Sequence, residues 1–218
     1  MLKKVKERGN EVVYSEVGKK DELVVRCMSD ASYVKVKDST GGSLVLLGSL
    51  SSAKVVPLYW KSKGITKICT STKDAETHAL FKNVADASFS AANLELLLFG
   101  CQAKKIKVES FIDSKPLLES LASTKIIENK FLVSEINALK TLMEDGTVRE
   151  YTWVNTENQL ADVLTKEMNE PKEFRHVFLW NKYNFSKFKN NPRAVLRIHD
   201  FNTDDESREI KLENNDKS

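Results

Sequence analysis

Four acidic residues stand where carboxylates could act together on a phosphodiester. Asp30 and Asp113 each follow an apolar or alternating run, Glu76 lies early in a long helical pattern, and Asp162 lies among apolar neighbours. Carboxylates brought close together repel one another unless cations hold them, and hard oxygen ligands suit Mg²⁺ or Mn²⁺. Two such ions about 4 Å apart can activate a water molecule and stabilise the leaving oxygen in phosphodiester hydrolysis.

Each of the four acids also has a structural interpretation, because the chain contains 31 acidic residues. Asp30 and Asp113 could be solvated residues at strand ends, and Asp162 could lie on a helix surface. Glu76 could be an acid that the dipole of a helix N-terminus favours. The metal-site hypothesis therefore depends on whether the fold brings all four acids to one edge of one sheet.

Hydrophobic periodicity predicts the elements that would position these acids. Short apolar or alternating runs predict strands, and apolar residues recurring at intervals of three and four predict helices. The Gly41-Gly42 pair predicts a turn before the second strand, and Ser71-Thr72 predicts the N-cap of the long helix. The predicted strands are 23–28, 43–48, 54–60, 105–112 and 148–154, and the predicted helices are 72–99, 115–121, 126–143 and 156–166.

The order of these elements, βββαβααβα, predicts a mixed α/β fold with a five-stranded sheet flanked by helices. The first three strands form an antiparallel meander, and the helix over 72–99 is long enough for a crossover to a parallel strand. If the first and fourth strands are parallel neighbours, Asp30 and Asp113 emerge side by side. Helices packed on the sheet could then bring Glu76 and Asp162 to the same place.

Composition and charge describe one domain with extensions. The chain has 218 residues with 34 basic and 31 acidic side chains, which give a formal charge of +3. No apolar run reaches the roughly 18 residues needed to cross a bilayer, and three scattered cysteines favour a reducing compartment, so we expect an intracellular protein, cytoplasmic or nuclear, without a membrane partner. The predicted organisation is a basic N-terminal extension (1–20), a central domain (21–167), an aromatic C-terminal extension (168–200) and a disordered tail (201–218).

Local motifs around the acids resemble those of a known family. The chain contains Ser29-Asp30-Ala31-Ser32-Tyr33, Ser39-Thr40-Gly41-Gly42, Trp60-Lys61-Ser62-Lys63, Ser71-Thr72-Lys73-Asp74-Ala75-Glu76, Phe111-Ile112-Asp113-Ser114 and, from Trp153 to Lys166, WVNTENQLADVLTK. In this order they resemble the ribonuclease H domain of copia-type LTR retrotransposon polyproteins. The last motif is the most specific, and the resemblance covers about residues 23–167.

The resemblance implies an RNase H-like fold and an endonuclease that cuts the RNA strand of RNA–DNA hybrids with two Mg²⁺ or Mn²⁺ ions. Asp30, Glu76, Asp113 and Asp162 fall on the family's metal-binding acids. Asp30 would serve both ions, Glu76 and Asp113 would complete one site, and Asp162 would complete the other. In the family a reverse-transcriptase domain precedes this one, so such a domain acting in trans is an expected partner.

A lysine-rich stretch next to the acids has two interpretations. Residues 54–73 contain five lysines and no acid. They could protect a solvated strand edge from aggregation, or they could contact the phosphates of a hybrid. The candidate nucleic-acid contacts are Lys61, Ser62, Lys63, Lys67, Ser71 and Lys73.

The sequence is compatible with two functions from different classes. One is an active ribonuclease H, which the intact set of four acids favours. The other is a catalytically inactive RNase H-like relic that binds nucleic acid or a protein partner, which the absence of a reverse-transcriptase motif favours.

Overall fold

The computed structural model describes residues 14–34, 39–101, 105–123, 129–166, 172–191 and 194–197. The predicted basic residues 1–13 and the predicted tail 201–218 lie outside the described residues. The strands are β1 (Leu23–Ser32), β2 (Thr40–Ser49), β3 (Val55–Gly64), β4 (Lys107–Ile112), β5 (Val148–Trp153) and β6 (Val195–Arg197). The α-helices are α1 (Thr72–Phe99), α2 (Lys115–Ala122), α3 (Lys130–Glu144) and α4 (Lys172–Trp180).

Within the described residues the strands form one mixed sheet in the order β3-β2-β1-β4-β5-β6. The pairs β1–β2 and β2–β3 are antiparallel, as the short connections between them require. The pairs β1–β4 and β4–β5 are parallel, with α1 in the first crossover and α2 and α3 in the second. The prediction of an antiparallel meander followed by parallel strands is confirmed.

The long helix α1 covers one face of the sheet. Its first turn is capped by the Ser71 side chain, which accepts a hydrogen bond from the Asp74 amide, and it ends at Gly100 with a φ of 72°. Leu80 and Val84 of α1 are fully buried against strand residues such as Val25. An amphipathic helix presents one apolar stripe to the core. Helix α1 contacts β1, β2 and β4, so it packs on both the antiparallel and the parallel part of the sheet.

The opposite face is covered by the aromatic C-terminal segment, whose packing partner the sequence did not indicate. Helix α4 and a 3₁₀ turn at Phe185–Phe188 lie on this face, and strand β6 follows them along the chain. Phe185 is buried, with its ring centroid 4.5 Å from that of Phe111 in β4. Strand β6 pairs antiparallel with β5 and gives the sheet a sixth strand, where five were predicted.

Several predicted boundaries were wrong. The helix predicted over 156–166 is instead two short 3₁₀ turns, Thr156–Asn158 and Leu160–Leu164. The Gly41-Gly42 pair is part of β2 rather than a turn, and β1 continues through Asp30 instead of ending before it. Among the described residues, no helix is long and apolar enough to cross a membrane.

Candidate metal centre

Three aspartates meet at one edge of the sheet. Asp30 lies in β1, Asp113 follows the last residue of β4, and Asp162 lies in the 3₁₀ turn Leu160–Leu164. One carboxylate oxygen of each lies within 4.8 Å of the other two. Because β1 and β4 are adjacent and parallel, with Met28 opposite Phe111, the residues two positions further along emerge together.

The turn that carries Asp162 is held against the sheet by Gln159. This side chain is 3% exposed, and its Nε2 donates a hydrogen bond of 3.1 Å to the carbonyl oxygen of Ser29, next to Asp30. Its Oε1 accepts a hydrogen bond of 3.4 Å from the amide of Ala161, next to Asp162. One buried amide therefore fixes the backbone beside both aspartates.

Gly42 provides the space for this turn. It pairs with Asp30 across β1 and β2, and a Cβ at this position would lie 2.9 Å from Leu164 Cβ and 3.1 Å from the Ala161 carbonyl oxygen. Real Cβ atoms do not approach so closely, so any larger residue would displace the turn. Glycine is needed here for close approach rather than for an unusual backbone angle.

Asp113 is held by the last residue of β5 and by the segment that follows it. The Trp153 indole Nε1 donates a hydrogen bond of 3.1 Å to the Asp113 carbonyl oxygen, and the Thr156 hydroxyl lies 3.4 Å from Asp113 Oδ2. Since Trp153 and Thr156 lie just before the turn of Asp162, the same segment positions two of the three aspartates.

Cationic and hydroxyl donors contact the cluster directly. The Lys166 ammonium lies 2.9 Å from Asp162 Oδ2 and 3.6 Å from Asp30 Oδ2. The Thr165 hydroxyl donates to the same Asp30 oxygen. Among the described residues, however, Asp162 Oδ1 is buried without a hydrogen-bond partner.

Mutual repulsion and burial perturb the acids. Burial raises the pKa of Asp162 to about 6, against a hydrogen bond from Lys166 that lowers it, and the charge of Asp30 adds to the rise. Burial and the charge of Asp30 also raise the pKa of Asp113. Burial lowers the pKa of Lys166. The hydrogen bond to Asp162 and the charges of the nearby carboxylates together raise it by more, so the pKa of Lys166 lies above its usual value. Closely spaced acids of this kind favour either a retained proton or a bound cation.

Glu76 lies beside the three aspartates but outside their group. It is half-buried on the first turns of α1 and lines a cavity of about 560 Å³ together with Asp113 and Ser114. Burial raises the pKa of Glu76, a hydrogen bond with Ser114 lowers it, and the charges of Asp113 and Asp30 raise it further. The carboxyl is thus electrostatically coupled to the aspartates, and its position on a helix lets the side chain extend toward them.

The donor set fits a divalent cation. The aspartates supply hard oxygen ligands in close proximity, and the buried, unpaired Asp162 Oδ1 is an oxygen without a partner in the described part of the chain. Mg²⁺ and Mn²⁺ prefer such oxygen donors and are often held by one or two carboxylates with water and substrate oxygens completing the shell.

Comparison with protein-family models gives no match, and neither does comparison with curated proteins. Solved structures do match. The N-terminal RNase H domain of Rv2228c from Mycobacterium tuberculosis, solved as a fusion with maltose-binding protein, has a TM-score of 0.50 at 17% identity, over 66% of this chain and 91% of that one. The fold is that of ribonuclease H.

Other ribonuclease H structures are similar at lower scores. RNase H1 from the halophilic archaeon Halobacterium salinarum NRC-1 has a TM-score of 0.49 at 15% identity, over 64% of this chain and 92% of that one. LC11-RNase H1 in complex with an RNA/DNA hybrid has a TM-score of 0.43 at 14% identity, over 66% and 93%. The strand order and the match to the Rv2228c domain confirm the predicted RNase H-like fold.

Within the ribonuclease H fold, the candidate nucleic-acid contacts fall into two groups. Lys61, Ser62 and Lys63 are exposed at the end of the edge strand β3, and Ser62 pairs with Gly42, which in turn pairs with Asp30. They therefore lie at the same end of the strands as the aspartates.

The second group surrounds the start of α1. Ser71 and Lys73 line the cavity that Glu76 and Asp113 share. The Ser71 hydroxyl is already used as the N-cap of α1. Lys67 forms an ion pair of 3.0 Å with Glu135, which also contacts His78, so its charge is partly neutralised by α3.

No positioning role was predicted from the sequence for four residues: Gly42, Gln159, Thr165 and Lys166. All four fall inside the quoted motifs, so the signal was present as residue identity. Their roles depend on contacts between β1, β2 and the turn of Asp162, which no local pattern encodes.

Proposed function

We propose that this protein is a metal-dependent endoribonuclease of the ribonuclease H type, derived from a copia-type LTR retrotransposon, that cleaves the RNA strand of RNA–DNA hybrids. The observation that carries the proposal is the meeting of Asp30, Asp113 and Asp162 within 4.8 Å at the edge of a ribonuclease H fold. The derivation from a copia-type element is supported by the residues of the quoted motifs and by their order along the chain.

The proposed residue roles follow from position. Asp30 is central, because its strand lies between the Asp113 strand and the Gly42 strand on which the Asp162 turn rests. Asp113 and Glu76 share one cavity and would hold one Mg²⁺ or Mn²⁺ ion with Asp30, while Asp162 would hold a second ion with Asp30. Such ions, when bound, activate water and stabilise the charge of the leaving oxygen.

The chain's own residues would also orient the substrate. Lys61, Ser62 and Lys63 present exposed donors on the edge strand, and Lys73 presents another at the cavity beside Glu76. Contacts of this kind to phosphate oxygens position a duplex without reading its sequence. We expect them to place a phosphodiester against the aspartates, and a reverse-transcriptase domain acting in trans would supply the hybrid.

The test is cleavage of an RNA–DNA hybrid labelled on the RNA strand, with duplex DNA and duplex RNA of the same sequence as comparisons. Wild type with Mg²⁺ or Mn²⁺ should cut only the hybrid and leave 5′-phosphates, and Asp30→Asn and Asp113→Asn should lose about 10²-fold or more in rate. The control is Glu157→Gln, an exposed acid on the neighbouring turn, which should retain activity.

Two results would contradict the proposal. An intact hybrid with both metals would rule out the nuclease and, if the hybrid is nonetheless bound, support the inactive nucleic-acid-binding relic. Equal rates for wild type and Asp30→Asn would assign the cleavage to another nuclease in the preparation.

A further inference from the structure

Lys166 occupies a particular place in the acidic cluster. Its ammonium contacts the Oδ2 atoms of both Asp162 and Asp30, at 2.9 and 3.6 Å. A positive charge that bridges two carboxylates in this way offsets part of their mutual repulsion. Lys166 is thus the counter-ion that makes this pair of acids compatible with burial.

A divalent cation would use the same two carboxylates. Mg²⁺ binds carboxylate oxygens at about 2.0–2.1 Å, so an ion held by Asp30 and Asp162 would lie close to the Lys166 ammonium at its present position, and the two positive charges would repel. An ion on Asp162 Oδ1, which has no hydrogen-bond partner among the described residues, would still compete with Lys166 for Asp30. Because the ion carries twice the charge of the ammonium, its attraction to each carboxylate is twice as large at a given distance.

Lys166 is able to leave without disturbing the turn. Its side chain is 41% exposed, whereas its backbone amide is fixed by a hydrogen bond of 2.9 Å to the Asp162 carbonyl oxygen. A lysine has a flexible four-carbon stem, so the ammonium can rotate into solvent while the backbone stays in place. Thr165 still donates its hydroxyl to Asp30 from the same backbone.

We propose that Lys166 is an internal counter-ion that competes with a divalent cation for Asp30 and Asp162 and is displaced when the cation binds. This inference rests on the proposed metal site and adds to it a residue that weakens ion affinity and gives the acids a defined partner before the ion arrives. Lys166 is a positioning residue here, since it acts through the two aspartates.

The first experiment is calorimetric titration of Mn²⁺ into wild type, Lys166→Met and Lys105→Met. Lys105 is the control because it is exposed, lies before the start of β4 at the opposite end of that strand from Asp113, and has its ammonium 4.8 Å from the centroid of the Phe99 ring. Lys166→Met should bind Mn²⁺ about tenfold more tightly than wild type, because a competing charge is removed. Lys105→Met should stay within about twofold, since it removes an equal charge that is not in competition.

The second experiment observes the Lys166 ammonium of wild type directly. Lysine amines carrying ¹³C-methyl labels are followed by NMR during a Mg²⁺ titration, with Lys166→Met used to assign the Lys166 resonance. As Mg²⁺ is added, the chemical shift of the Lys166 resonance should move to that of solvent-exposed lysines, with the same midpoint as ion binding. The Lys105 resonance should not move.

The outcomes separate the inference from the proposed function. If wild type and Lys166→Met both bind Mn²⁺ with equal affinity and the Lys166 resonance is unchanged, the inference is wrong and the metal site stands. Equal tightening in Lys166→Met and Lys105→Met would show a general charge effect and also refute the inference. If neither protein binds Mn²⁺, the proposed function fails and the inference fails with it.

Discussion

Gly42 and Leu164 are in contact because glycine has no side chain, and a Cβ on Gly42 would lie 2.9 Å from Leu164 Cβ. The turn that carries Asp162 therefore rests directly on the backbone of β2. Since Gly42 is also the strand partner of Asp30, one backbone position sets the distance between two of the three aspartates.

We expect Gly42→Ala to displace this turn. Overpacking a close contact costs about 1–3 kcal/mol of unfolding free energy, and a shift near 1 Å at a reacting centre can cost about 10²-fold in rate. Urea unfolding and hybrid cleavage measure the two effects. The control is Gly41→Ala in the same strand, where a Cβ would meet its nearest atom, in Ile65, at an ordinary 3.6 Å. Equal losses in the two variants would contradict the proposed contact.

Gln159→Ala should loosen the turn from the other side. The substitution leaves the buried Ser29 carbonyl oxygen and the Ala161 amide without their present partner, at a cost of about 1–3 kcal/mol. We expect reduced stability and a lower affinity for Mn²⁺, measured by urea unfolding and calorimetry. Asn155→Ala is the control, because Asn155 is exposed and makes no side-chain cap. Unchanged Mn²⁺ affinity in Gln159→Ala would show that the amide does not position the aspartates.

The pH dependence of stability should report Asp162. Burial raises its pKa from 3.8 to about 6, so between these values the folded state holds a proton that the unfolded state has lost. This carboxyl therefore contributes a loss of stability as pH rises from about 4 to 6. Asp162→Asn removes this contribution. In EDTA, the Tm of the variant relative to that of wild type should therefore rise as pH increases from about 4 to 6. A constant Tm difference from pH 4 to 7 would contradict the raised pKa.

Mg²⁺ should stabilise wild type more than Asp162→Asn, which is opposite to the trend expected in EDTA. An ion that binds only the folded, deprotonated cluster stabilises wild type by mass action. At pH 7.5 we expect Mg²⁺ to raise the Tm of wild type more than that of Asp162→Asn. Equal shifts in the two proteins would show that Asp162 is not part of the ion site.

Lys189→Met should destabilise the far side of the sheet. The Lys189 ammonium lies 2.7 Å from Glu109 Oε1 and 2.5 Å from Glu150 Oε1, and the two glutamate side chains are at most 1% exposed. Because breaking a buried ion pair leaves an uncompensated charge, and Arg26 still pairs with Glu109, we expect a loss of about 2–3 kcal/mol in urea unfolding. The exposed Lys187→Met should lose less than about 1 kcal/mol. Similar losses in the two variants would show that the buried ion pairs of Lys189 do not stabilise the protein.

Long, strongly periodic elements were predictable from sequence. The helix over 72–99 was predicted with the bounds that α1 has, and the length of that crossover allowed the parallel pairing of β1 with β4 that the structure shows. The juxtaposition of Asp30 and Asp113 depends only on those two features. Strand and helix periods are local properties, so they survive in a single sequence.

The remaining errors have a common physical cause. Leu160, Val163 and Leu164 have the spacing of a helix face, but the hydrogen bonds of Gln159 and the contact with Gly42 hold them in a 3₁₀ turn. Strand β6 has three residues and gains its identity from pairing with β5. Such tertiary contacts override or create local structure and leave no periodic signature.

The cover of the second sheet face has a consequence for biosynthesis. The segment from α4 to β6 leaves the ribosome after all four proposed metal ligands, yet it supplies Phe185 and Lys189 to the strands that carry Asp30 and Asp113. Before this segment emerges, the nascent chain exposes an apolar sheet face, and Glu109 lacks its ion pair with Lys189. Incomplete sheets of this kind attract chaperones and are prone to aggregate. We expect the nascent ribonuclease H fold to be completed only when this last segment docks.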